Sequence, residues 1–214
     1  MKKIIALCLT MFFAGSAYAA ESAGNRKDSI LQIGYAPVGI HFATLVAPTT
    51  SVAAYLGESL IIGVEAGSQD YSWEDGDDTV DMNYSQQGVF ARWFPGNSFN
   101  VLGAYHQRDF SADATVSETA YGMTATATGS LDANATVATV GIGNQWQFDF
   151  GLVIGADWVV ASTLLSSSVT ASVSESTGYA DTSEAEQSLA DLGETVNEAS
   201  GAPGVLIVYV AFAF

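Results

Sequence analysis

Cysteine is nearly missing: the single Cys8 falls inside the first apolar run. The chain beyond that run therefore has no disulfides and no thiol chemistry. Cations are scarce as well, with six Lys and Arg against 23 Asp and Glu, and so acidic a chain repels nucleic acid. His41 and His106 are the only histidines, too few for a histidine metal cluster. Past the N-terminal run there is no stretch of the roughly eighteen consecutive apolar residues that a helical membrane span needs. Gly141-Ile142-Gly143 lacks the third glycine and the following helix of a nucleotide fingerprint. Yet 49% of the residues are hydrophobic, which excludes an acidic disordered chain. Acids and apolar residues must be segregated along the sequence.

The N-terminus reads as an address. Lys2 and Lys3 precede an apolar run from Ile4 to Phe13, and Ala17-Tyr18-Ala19 offers small residues where a signal peptidase reads. The expectation is a signal peptide over 1–19, cleaved after Ala19. The run is too short for a transmembrane helix, which takes roughly twenty residues. Leu7, before Cys8, is not the small residue a lipoprotein would need. Removing the leader leaves only Arg26, Lys27, Arg92 and Arg108 to face all 23 acids.

The remainder divides into a segment over 20–28 and a run of strands over 29–214. Stretches of about ten residues alternate apolar with small or polar side chains, the pattern of strands with one greasy face. At the C-terminus Leu206, Val208, Val210, Phe212 and Phe214 share one face, and Val205, Ile207, Tyr209, Ala211 and Ala213 the other. Phe150, Leu152, Ile154, Ala156, Trp158 and Val160 oppose Gly151, Val153, Gly155 and Asp157. Val140, Ile142, Trp146 and Phe148 form a similar face, interrupted by Asn144. Further faces carry Val101 and Tyr105, Val89 and Trp93, Ile62 and Val64, Val52 and Leu56, and Leu31 and Ile33, which makes about eight strands. Tight turns fall at 57–59, 95–98 and around Asp149. Between them the pattern predicts long links at 37–50, 73–82, 117–134 and 164–203. Alternating short turns and long links is what a closed membrane barrel of even strand number requires. In a soluble barrel the apolar face would turn inward; here the charged strand residues lie opposite it.

These features resemble the small outer-membrane barrels of the OmpA/OmpX type. The likeness rests on strand pattern, link alternation and the terminal phenylalanine, and carries fold and location rather than function. It implies an all-β, antiparallel transmembrane barrel in a bacterial outer membrane, with periplasmic termini and a periplasmic segment over 20–28. It also implies that Val210, Phe212 and Phe214 form the assembly signal read by the barrel-assembly machinery.

Several constellations are candidates for function. Glu65, Arg92, His106, Arg108 and Asp157 all face inward and should form a charge network, with both arginines paired to carboxylates, because an unpaired charge in a water-poor lumen is costly. A solute or proton path through that layer is the alternative. Trp93, Trp146, Phe148 and Phe214 suit an aromatic girdle near the short turns, with Tyr71 and Trp73 marking the opposite interface. Glu74, Asp75, Asp77 and Asp78 crowd one loop and could hold a divalent cation, which would also ease contact with anionic lipopolysaccharide. Acids also crowd the last loop, where Ser183 and Glu186 fit a capping box and Ala185, Leu189, Leu192 and Val196 recur at helical spacing. This helix is expected to lay its stripe on the barrel mouth.

The leading functional reading is a non-enzymatic barrel acting in envelope structure or surface interaction through acidic loops, with no cofactor. The alternative is a narrow channel for small solutes. A lipid-modifying enzyme would need His41, Asp70 and Ser72 to meet near the rim, which nothing in the sequence supports.

Overall fold

The computed structural model describes residues 22–41, 47–120, 123–176 and 182–214, without the side chains of 37–41, 118–120, 123, 205 and 206. The expected leader over 1–19 lies outside the described residues. Eight strands run in chain order: β1 (Leu31–His41), β2 (Thr49–Tyr55), β3 (Leu60–Asp75), β4 (Asp78–Trp93), β5 (Phe99–Ala120), β6 (Met123–Gln147), β7 (Leu152–Glu175) and β8 (Gly204–Ala213). Each pairs antiparallel with its neighbour, and β8 returns to β1, closing the barrel. The closure is fastened at the last residue: Phe214 N donates to Leu31 O at 2.9 Å and Phe214 O accepts from Ile30 N at 2.6 Å. A helix over 22–28, α1, precedes β1, and α2 (Ser183–Ser200) precedes β8.

The alternation fixes which side faces out. Leu31, Ile33, Val52, Ile62, Val64, Val89, Tyr105, Val140, Ile142, Ile154, Val208, Val210 and Phe212 are all exposed, on one band around the barrel. Their strand neighbours point inward and are buried: Ile61, Phe90, Leu102, Val153, Tyr209, Ala211 and Ala213 form the core with Ala53, Tyr55 and Phe94. Within this band the described residues carry apolar side chains on both faces and turn Arg92 and Asp157 inward, the inside-out arrangement of a barrel meant for lipid.

The start of β1, the end of β8 and the three tight turns share one end, here called the base; the other is the crown. Two of the expected long links are not loops. Within 73–82, β3 and β4 continue to a hairpin turned at Gly76-Asp77, where Gly76 takes the left-handed φ of 66°. Within 117–134, β5 and β6 stay paired up to Ala120↔Met123. The link over 164–203 also begins as strand, to Glu175. Strands of 22, 25 and 24 residues result. At roughly 3.3 Å per residue β6 alone runs about 80 Å, whereas a membrane belt is about 25 Å tall. The outer positions of the excess length are polar: Ser68, Asp70 and Ser72 on β3, Asp109 and Asp113 on β5, Asp132 and Asn134 on β6. Polar residues outside and alanines inside give no period-2 hydropathy signal, which is why these strands look like loops in the sequence.

Two register shifts correct the face assignment in β7. Opposite Ile142 and Gly143 the strand skips Trp158, and opposite Thr136 and Val137 it skips Leu165. A bulge reverses the parity beyond it, so Val159 is exposed and Val160 is buried, the reverse of the sequence reading.

Candidate functional site

The inward-pointing polar residues form a stack from base to crown. At the bottom sits α1. Arg26, 1% exposed, donates from Nε to Glu58 O at 2.7 Å and from Nη2 to Gly96 O at 3.1 Å, tying two base turns together. Its guanidinium also lies 4.0 Å from the centre of the Phe94 ring. Burial works against its charge and pulls its pKa down to about 10, with Tyr55 and Glu58 nearby pushing it back up. Asn25 Nδ2 donates to Gln147 O and Asp149 Oδ1, both at 2.9 Å, and Ser29 Oγ accepts from Gln147 Nε2 at 2.7 Å. The helix over 22–28 thus supplies a stopper. Ser22, Asn25, Arg26 and Ser29, at helical spacing, were the signal for it.

Above the stopper lies a neutral polar layer. Tyr55 Oη contacts Gln32 Oε1 at 2.8 Å and Gln147 Oε1 at 2.9 Å, and Tyr209 Oη donates to Gln145 Oε1 at 3.0 Å. Gly155 is required here, because a Cβ on it would run into the Tyr209 ring. Together with the apolar core, these side chains fill the base of the lumen.

The five expected interior charges come together as two pairs and one capping contact. Arg92 binds Asp157 in bidentate fashion, Nη1–Oδ1 at 2.5 Å and Nη2–Oδ2 at 2.8 Å, and Nη1 also reaches Asn100 Oδ1 at 3.1 Å. The Tyr209 ring covers the guanidinium at 4.5 Å. His106 Nε2 meets Glu65 Oε1 at 2.7 Å. Arg108 departs from expectation: its Nη1 donates to the backbone oxygen of Ser200, the last residue of α2. The last turn of α2 contains no basic residue. Arg108 supplies the cation that helix-end carbonyls attract.

α2 packs on the inner side of β6 and β7 at the crown. Its contact face is Leu189, Gly193, Val196, Asn197 and Ser200, while Ala185 and Leu192 are exposed, contrary to the predicted stripe. Gly193 is the point of closest approach: a Cβ there would lie 2.6 Å from Val169 Cγ1 and 2.8 Å from Leu131 Cδ1. The N-cap falls one residue before Ser183. Thr182 is the N-cap and makes no side-chain capping bond, and Glu186 Oε1 accepts from Val173 N at 3.2 Å.

The remaining candidates are placed as follows. Trp93, Trp146, Phe148 and Phe214 ring the outside of the base; Phe148 stacks on Phe150 at 5.8 Å and Phe214 lies 5.3 Å from Phe212. Val210 and Phe212 lie on the same outer face. Tyr71 and Trp73 instead lie high on the β3–β4 hairpin, far above the apolar band. Glu74, Asp75, Asp77 and Asp78 surround its tip. Asp78 Oδ1 accepts from Ser117 N at 2.8 Å, and among the described residues no three His, Cys, Asp or Glu converge to hold a metal ion. Asp70 accepts from Asn83 Nδ2 at 2.5 Å on the outer wall; the His41 side chain lies outside the described residues. Among those residues no hydroxyl or thiol is hydrogen-bonded to His106. Within the stack, Arg92 and Asp157 neutralise each other and His106 sits against Glu65.

No protein-family model and no curated protein matches the chain. Among solved structures, a major outer membrane protein from Thermus thermophilus is similar at a TM-score of 0.55 and 12% identity, over 87% of this chain and all of that one. Acinetobacter baumannii CarO matches at a TM-score of 0.48 and 15% identity, over 87% and 98% of the two chains. The fold is that of an outer-membrane-type β-barrel, closed by eight antiparallel strands.

Proposed function

We propose that the chain is a non-enzymatic barrel of the bacterial outer membrane, exported by its leader over 1–19. The crown faces outward and carries a structural or surface-interaction role. The observation that supports this most is the division along β5, β6 and β7. Their base halves carry the apolar band around a filled lumen; their crown halves carry acids and hydroxyls well beyond it. A barrel whose lumen is packed with Arg26, the Tyr–Gln layer and the Arg92–Asp157 pair is suited to anchoring rather than conduction, since eight strands leave room only for side chains or one small ligand. Lipopolysaccharide is the expected neighbour of the crown, with divalent cations bridging its phosphates to the acidic wall. The assembly machinery would engage the C-terminal strand at Val210, Phe212 and Phe214.

The test is conductance. Protein folded into planar bilayers should be silent, and silence should persist when α1 is removed, because the layers above it still fill the barrel. Steady unitary currents from the folded protein would overturn the anchoring reading in favour of a solute channel.

A further inference from the structure

The outer wall is not smooth where the apolar band meets the crown. A groove of about 640 Å³ crosses β2 to β5, floored by Ala66 and lined by Val52, Val64, Val89 and Tyr105. Through the shared Ala66 and Gln87 it continues into a second hollow of about 380 Å³ beside Ser68, Ser85 and Asp109. The combined trough is apolar towards the base and polar towards the crown.

Its polar end calls for donors. Asp109 Oδ1 is buried and receives no hydrogen bond in this structure. Gln87 and Gln107 hold only each other, at 3.5 Å, and remain exposed. Among the described residues, neither hollow is lined by a Lys or Arg. The cations of the strands, Arg92 and Arg108, are turned into the lumen, and Arg26 is buried at the base. An anionic headgroup would find nothing to neutralise it here. Hydroxyl groups would find a carboxylate, two amides and serines, with the exposed Tyr105 ring beside them. An extended peptide is disfavoured, because β3, β4 and β5 are fully paired at this height and offer no free edge.

We infer that this trough is a glycolipid site: an acyl chain lies in the apolar reach between Val52 and Tyr105, and a sugar hydroxyl donates to the Asp109 carboxylate. The inference rests on the outer-membrane reading, because the apolar reach is continuous with the band assigned to lipid. It places recognition in sugar hydroxyls, so binding needs neither phosphate nor divalent cation.

The experiment uses the whole mature chain folded in nanodiscs, with retained lipid counted by native mass spectrometry in the presence of a chelator. The probes are a diacyl glycolipid with a neutral disaccharide headgroup, and phosphatidylglycerol and phosphatidylethanolamine of the same chain length. The unaltered protein should retain the glycolipid about tenfold over either phospholipid. Ala66→Phe, which fills the floor, should lose it, and Asp109→Ala should hold the three lipids equally. Val140→Phe, on the exposed face away from the trough, should behave as the unaltered protein. Should Ala66→Phe not fold, judged by heat-modifiable gel mobility, Val64→Phe gives the same readout. Equal retention of the three lipids by the unaltered protein, or undiminished retention by the filled variant, would overturn the site. Protein that inserts but shows no preference sinks this inference alone, whereas protein that never inserts sinks the membrane reading with it.

Discussion

The Arg92–Asp157 pair allows a quantitative test of how the lumen is held. Both side chains are buried, at 10% and 1% exposure. Removing one member of such a pair leaves a charge with no compensating partner and costs about 3–5 kcal/mol, while removing both is far cheaper. The structure orders the two single changes. Arg92→Met leaves Asp157 without its bidentate partner and should cost towards 5 kcal/mol. Asp157→Asn leaves Arg92 still touching Asn100 Oδ1 and the Tyr209 ring, so its cost should fall nearer 3 kcal/mol. The double variant should cost at least about 2 kcal/mol less than the sum of the two. Guanidinium unfolding in lipid vesicles, followed by tryptophan fluorescence and extrapolated linearly, measures all three. Single costs below about 1 kcal/mol, or additivity within about 0.5 kcal/mol, would refute the idea that this pair carries a desolvated charge.

Gly193→Ala should loosen α2 by about 1–3 kcal/mol through overpacking against Val169 and Leu131, although alanine is the better helix former. Hydrogen exchange confined to 183–200 would report it, and slower exchange would contradict the contact. Gly155→Val should prevent folding through its clash with the Tyr209 ring, and Tyr209→Ala should restore heat-modifiable mobility; failure of that rescue would place the fault elsewhere. Arg26→Ala should cost about 2–3 kcal/mol by releasing Glu58 O, Gly96 O and the Phe94 ring. Arg26→Lys should recover little, since one ammonium cannot reproduce the planar fork; full recovery in unfolding titrations would argue against the two-turn clasp.

How much of this was legible depended on whether a residue's neighbours share its pattern. Leu31, Val64, Val89, Tyr105 and Phe212 declare the outer face because each is flanked by inward residues of another kind. That parity also placed Glu65, Arg92, His106, Arg108 and Asp157 inside the barrel. Parity cannot name partners, however. Arg108 meets a helix end more than ninety positions away, a contact set by the last connection rather than by strand spacing. The crown strands were hidden because serine, threonine and aspartate outside, against alanine inside, look like loop composition. The bulges at Trp158 and Leu165 leave no mark in hydropathy, so Val160 was assigned to the wrong face. Gly193 is a poor helix former in mid-helix, yet it is where the helix fits most closely.

The most direct test of the whole arrangement is depth-resolved quenching by brominated lipids, using variants that keep one tryptophan each. Trp93 and Trp146, beside the base turns, should be strongly quenched, with bromines near the headgroups most effective. Trp73, at the tip of the β3–β4 hairpin, should stay bright in the same vesicles. Equal quenching at the hairpin tip, or none at Trp93, would mean that the exposed apolar band does not meet acyl chains.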